Sequence, residues 1–291
     1  MNYTLCTCNW LQPMHEGTPV TRGEREAMQP SLFPDAGRPV IYEQPLNERV
    51  RNCLRLEHLF LSIDTGIEAG DQWSARSALG RILEVSDFLV RTDIKGELIK
   101  ELEREISTFN SLRNNPSVNS AVLDKTIGSM SEILVQLKTP DCQPGARIRN
   151  DELANQVRQR ISIPGGTCSF DLPSLHFWLN AQPSQRTSQM LVWMQDIRIV
   201  EKAIGLILAL IRESANPRIA VANAGFYQQQ FESASQCQIV RVVMPLETET
   251  FPEISGGKHR FTVRFYSQRQ TSTRPMQVQD DVRFELACCG I

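Results

Sequence analysis

The stretch Ile254-Ser-Gly-Gly-Lys-His-Arg-Phe-Thr-Val-Arg-Phe-Tyr266 alternates as a strand does. Lys258, Arg260, Thr262, Arg264 and Tyr266 share one face, and Phe261, Val263 and Phe265 take the other. One face is cationic and the other oily. At roughly 3.3 Å per residue the two arginines stand about 13 Å apart on a surface anchored from behind by the aromatic residues. From Ile254 to Gln279 there are five Lys or Arg and no Asp or Glu, in a chain whose formal net charge is only -2. The bias is therefore local, and a local excess of one sign steers and holds a partner of the other. Two readings are open: a docking surface for something anionic, or a solvated edge strand whose charges discourage aggregation.

Around this stretch the chain is helical first and β last. Asn47 or the turn at Pro45 opens a helix whose buried side is Leu46, Val50, Leu54 and Leu61, with Cys53 and Phe60 on its flank. Its Arg49, Arg51 and Arg55 fall on polar positions. Helical periods recur over 75–90, 93–112, 119–138 and 150–160, and the charged outer face of the second of these reads as solvated surface. Residues 168–180 are read as a strand, with His176 and Trp178 on one face, although Asp171-Leu-Pro173 equally suits a helix start. From Ser184 to about 216 runs a long helix with a seam of Met190, Trp193, Ile197, Val200, Ile204, Ile207 and Ile211. Past Pro217 the helical period stops, and strands are expected at 219–222, 239–244, 260–266 and 282–288. The expectation is an α+β fold: a disordered extension over 1–37, a helical domain over 38–160 joined by the long central helix 184–216, and a mainly antiparallel β domain from 161–183 and 217–291.

Composition narrows the function. A sequence pI near 6.1 argues against a general nucleic-acid binder, whose phosphate neutralisation shows as a basic domain. No stretch has the length of apolar residues a membrane helix needs. The eight cysteines have neither paired CxxC spacing nor a histidine at ligand distance, so they read as free thiols of a reducing cytosol, with no metal site and no cofactor. An enzymatic reading has to rely on Cys168 and His176 beside the Pro164-Gly-Gly loop, a thiol and a base with nothing to fix their geometry. The alternative to a recognition protein is thus a thiol enzyme, or a small-ligand or phosphate binder, built on those residues.

Eight segments in order, among them Tyr42-Glu-Gln-Pro-Leu-Asn-Glu-Arg, Leu54-Arg-Leu-Glu57, Val157-Arg-Gln-Arg-Ile-Ser-Ile-Pro-Gly-Gly166, Gly225-Phe-Tyr-Gln228, Ile254-Ser-Gly256 and Phe284-Glu-Leu-Ala-Cys-Cys289, resemble the bacterial ZapD cell-division family from about residue 40 to 289. The resemblance implies a cytoplasmic, non-enzymatic homodimer with a helical and a β domain. Such a protein binds the C-terminal tail of the tubulin-like protein FtsZ, is recruited to the midcell division ring and bundles filaments. It places the basic groove at Arg260 and Arg264, with Lys258, His176 and Arg55 as weaker carry-overs, and it implies neither nucleic-acid binding nor membrane insertion.

Overall fold

A computed structural model describes residues 39–116, 118–231, 237–257 and 259–291. The expected extension over 1–37 lies outside them. The chain divides into two compact units, one of described residues up to Arg51 with Leu208–Ile291, the other Asn52–Ile207. The fold is α+β, with helices early and the antiparallel strands mainly C-terminal.

The helical unit is built from α1 (Glu48–Ala69), α2 (Gln72–Arg91), α3 (Ile94–Ser111), α4 (Ser120–Lys138), α5 (Ala146–Arg149), α6 (Glu152–Arg160), α7 (Pro173–Leu179), α8 (Pro183–Met194) and α9 (Arg198–Glu213), with the ends of α1 and α9 passing into the other unit. Short polar side chains start these helices by accepting orphan amides: Asn47 from Val50 at 2.8 Å, Asp93 from Gly96 at 3.1 Å, Asp151 from Ala154 at 2.9 Å. On α1 the buried stripe is Val50, Cys53, Leu56, Phe60 and Ile63. Leu61, expected inside, is 48% exposed because it falls beside that stripe rather than on it. Leu46 precedes the helix altogether.

Three further expectations are corrected here. Residues 168–180 form no strand: Pro173 at the first turn starts α7, and 161–183 group with the helices. The long helix expected over 184–216 is two helices. Across Gln195–Ile197 the backbone closes i to i+3 bonds, Ile197 N to Met194 O at 3.0 Å and Val200 N to Ile197 O at 2.9 Å. The Asp196 carboxylate there accepts from the Arg147 amide at the start of α5. That hydrogen bond holds a turn that no Gly or Pro announces. The seam survives the turn, since all seven of its residues are buried. Finally, the polar face of α3 is not all solvated: Glu101 and Glu105 are buried and both pair with Arg104.

A buried arginine holds helix ends together. Arg186 donates to the carbonyls of Gly70 at 2.6 Å, Leu179 at 3.0 Å and Ala181, so one guanidinium satisfies acceptors just past α1 and at the end of α7, where the helix dipoles favour positive charge.

The β unit is two antiparallel sheets with a shared core. Its strands are β1 (Val40–Pro45), β2 (Arg218–Ala222), β3 (Phe226–Gln230), β4 (Ile239–Met244), β5 (Thr250–Gly256), β6 (Arg260–Ser267), β7 (Met276–Gln277) and β8 (Val282–Cys289). One sheet runs β1-β4-β8-β2; the other runs β3-β6-β5, with β7 continuing along β6 where β3 stops. β1 was not anticipated, since its residues read as the approach to a helix. Val240, Val242, Phe284 and Leu286 of the first sheet meet Phe261, Val263 and Phe265 of the second, with the Phe265 and Phe284 rings 5.1 Å apart. Burial of each such side chain contributes about 1.5–3 kcal/mol.

On the other face of the first sheet Glu43 is directly across from Arg241. Its carboxylate accepts an Arg212 fork, at 2.7 and 2.8 Å, and forms an ion pair with Arg241, whose Nε lies 3.0 Å away. Nearby, burial pushes the Cys289 thiol up to about 12, so it packs as a small apolar group. Replacing Glu43 with Gln removes one charge from this buried group, and removing one partner of such a group costs about 3–5 kcal/mol. Urea denaturation of Glu43→Gln, followed by β-sheet circular dichroism, is expected to show a loss of that size.

Candidate functional site

The alternation read from the sequence holds over β6. Phe261, Val263 and Phe265 are fully buried, while Arg260 and Arg264 are exposed. The quoted stretch is nevertheless not one strand. Its first residues close β5, and a turn leads into β6, marked by Gly257 N donating to Arg260 O at 3.0 Å. A Cβ built at Gly256 would fall 2.3 Å from Leu46 Cδ2, so a side chain there would have to displace the end of Leu46. Lys258, counted with the cationic face, lies outside the described residues.

Register gives the outward face its composition. Opposite Arg264 stand Phe226 of β3 and Glu253 of β5; opposite Thr262 stand Gln228 and Ser255; opposite Arg260 stands Gln230; opposite Tyr266 stand Phe251 and, on β7, Gln277. Directly opposed residues on antiparallel strands share a face. Phe226, Gln228, Gln230, Glu253 and Ser255 are accordingly exposed, and their strand neighbours Tyr227 and Pro252 turn toward the core. The result is a surface with a cation at each of two rows and aromatic area at one end, where the Phe251 and Tyr266 rings stack at 6.1 Å.

Phe226 is set by a tight turn. Ala224 and Gly225 both take positive φ, 48° and 67°, and Phe226 N donates to Asn223 O at 3.0 Å, a two-residue turn that carries the chain from β2 of one sheet to β3 of the other. The Ala224 amide is held by Asp281 at 2.9 Å. The ring delivered by this turn lies under the Arg264 guanidinium, 5.4 Å from centroid to Cζ, a cation–π contact of about 0.5–1 kcal/mol at an exposed site. Among the described residues no ion pair joins Arg264 to Glu253 or occupies Arg260. The nearby Arg269 and Arg274, in the loop from β6 to β7, are exposed as well.

The remaining expected site residues belong to the helical unit. Arg55 is exposed on α1. His176 is exposed on α7, beside the Asn180 side chain at 3.4 Å. On a helix His176 and Trp178 do not share a face, and Trp178 packs on Trp193 with centroids 5.5 Å apart. Cys168 donates toward Asp171 at 3.6 Å, and no hydrogen bond joins it to His176. Among the described residues none of the six cysteines is in a disulfide, and no three His, Cys, Asp or Glu are grouped to hold a metal ion. Phe226, Phe251 and Glu253 went unread from the sequence. Their signal is the pairing register, which no single strand reveals.

Residues 54–264 match the sequence model of the ZapD family, described as a cell division protein. Cell division protein ZapD of Methylococcus capsulatus is 38% identical over 250 residues, covering 86% of this chain and 98% of the relative. The proteins of that name from Coxiella burnetii and Shigella flexneri are 31% and 35% identical over 87% and 86% of the chain, in each case 98% of the relative. The chain belongs to the ZapD family of cell division proteins.

Because Arg260 and Arg264 are exposed and unengaged by carboxylates, reversing both charges is expected to leave circular dichroism unchanged and to shift unfolding free energy by no more than about 1 kcal/mol, as surface changes do. A denaturation curve of Arg260→Glu with Arg264→Glu measures this, and a larger loss would assign these residues to the fold.

Proposed function

We propose that this member of the ZapD family binds the C-terminal tail of FtsZ on the outward face of the β3-β6-β5 sheet and, as a homodimer, cross-links FtsZ filaments at the midcell division ring. The observation that carries the reading is the pair Arg260 and Arg264, exposed, backed by the fully buried Phe261, Val263 and Phe265 and, among the described residues, in no ion pair. Family membership supports the process, cell division. No helix among the described residues is long and apolar enough to cross a membrane, which agrees with recruitment from the cytoplasm through a protein partner. Lys258, His176 and Arg55 are secondary contributors in this reading.

The mechanism requires no chemistry, and the protein acts as a connector rather than an enzyme. Each exposed cation to carboxylate contact contributes about 0.2–1 kcal/mol, so one face holds one tail weakly. A filament presents many tails, and two faces on one dimer turn the second capture into a local event at high effective concentration. Weak contacts thereby sum to a firm but reversible bundle. The contacts sit at the surface, where the Debye length is about 8 Å at physiological ionic strength, so bundling falls with added salt.

Two measurements follow. Co-sedimentation with FtsZ filaments is expected to be lost in Arg260→Glu with Arg264→Glu, and for the wild type with filaments lacking the C-terminal tail; retention in either case would overturn the assignment. Sedimentation equilibrium is expected to give a dimer at working concentration, whereas a monomer would leave tail binding possible but end the cross-linking account.

A further inference from the structure

The outward face of the β3-β6-β5 sheet is not uniformly cationic. Its rows run from Gln230 and Arg260, through Gln228, Thr262 and Ser255, to Phe226, Arg264 and Glu253, and end at Gln277, Tyr266 and Phe251. Arg260 has no carboxylate across from it. Arg264 has one, since cross-strand neighbours on a shared face place their Cβ atoms about 4.5–5.5 Å apart. The Arg264 guanidinium nevertheless lies over Phe226, and Glu253 is exposed and, among the described residues, in no ion pair. A carboxylate so placed offsets the charge of Arg264, so that row holds a second carboxylate less firmly than Arg260 does and accommodates a cation more readily.

We propose that Glu253 is a charge filter, and that the face accepts an extended segment of patterned chemistry rather than any acidic peptide. The segment carries a carboxylate at Arg260, a neutral or basic residue at Glu253 four positions along, and an apolar residue at the Phe251 and Tyr266 pair two positions further. The spacing follows from the strand rise: Arg264 is about 13 Å and Tyr266 about 20 Å from Arg260, a span of roughly seven extended residues. Phe226 and the aliphatic stem of Arg264 supply the apolar floor between the anchors. This inference rests on the reading that the face binds a peptide tail, and it specifies which tail.

The test is fluorescence anisotropy of the full chain with two labelled seven-residue peptides. Both have Asp at one end and Leu at the other, and they differ only in having Lys or Asp at the fifth position from the Asp end. The wild type is expected to prefer the Lys peptide about two- to fivefold beyond the preference of Glu253→Gln, the range exposed charge pairs give. Glu253→Lys is expected to prefer the Asp peptide. Circular dichroism of both variants is expected to match the wild type, because Glu253 is exposed and unpaired. If Glu253→Gln keeps the full wild-type preference while Arg260→Glu with Arg264→Glu abolishes binding of both peptides, the filter is overturned and the binding face stands. If both peptides still bind the double arginine variant as before, the binding face itself is overturned and the filter falls with it.

Discussion

The packing of Phe261, Val263 and Phe265 against Val240, Val242, Phe284 and Leu286 decides what the β unit shows to the outside. Side chains alternate with a period of two along a strand, so burying one set commits the other set to the surface. A slip of one residue would put Arg260, Arg264 and Thr262 inside and the three apolar residues outside, at a cost no surface contact could offset. The cationic face is therefore as well specified as the core behind it. Weak interactions at a surface need such backing, because an anchor worth less than 1 kcal/mol loses its value if the side chains wander.

The same unit treats its charges in two ways. On the first sheet Glu43 gathers Arg212 and Arg241 in a nearly dry setting, where the gain of pairing mainly offsets desolvation and the net benefit is register rather than raw stability. On the second sheet the arginines are left in water, one of them resting on an aromatic ring. Their location separates structural arginines from those free to meet a partner. Sequence charge counts cannot make that distinction: Arg241 and Arg264 sit alike in runs of alternating or β-branched residues, and only one is buried.

What could be read in advance followed from strong local periods. Strands β4, β6 and β8 and helices α2, α3, α4 and α6 carried runs of apolar residues at spacing two or near 3.6, and Asn or Asp caps marked several helix starts. The failures have physical causes. β3 reads Phe-Tyr-Gln-Gln-Gln, poor in branched residues, and is a strand because it has β6 beside it. β5 contains Pro252 and ends in Gly256, both of which argue against a strand except at an edge, where β5 lies. The turn at Gln195–Ile197 depends on Asp196 reaching another helix, and the burial of Glu101 and Glu105 depends on packing around α3, although their partner Arg104 is close by in the sequence. Of the candidate site, the two arginines were legible and their neighbours were not. Neighbours come from pairing, and pairing is tertiary.

Pro252 has one more effect. It is paired with Phe265, whose amide and carbonyl bond to Gly225 and Val278 on the opposite side, so the backbone of Pro252 faces away from β6 toward the open margin of the sheet. A proline there offers no amide. An incoming chain cannot zip onto this margin as an additional strand without leaving an acceptor unmet, and the sheet is spared growth by its own kind. A segment that settles along β5 is then held by side chains, one at a time, without the slow peeling of a main-chain ladder. A grip made of a few shallow contacts of that kind has a short lifetime.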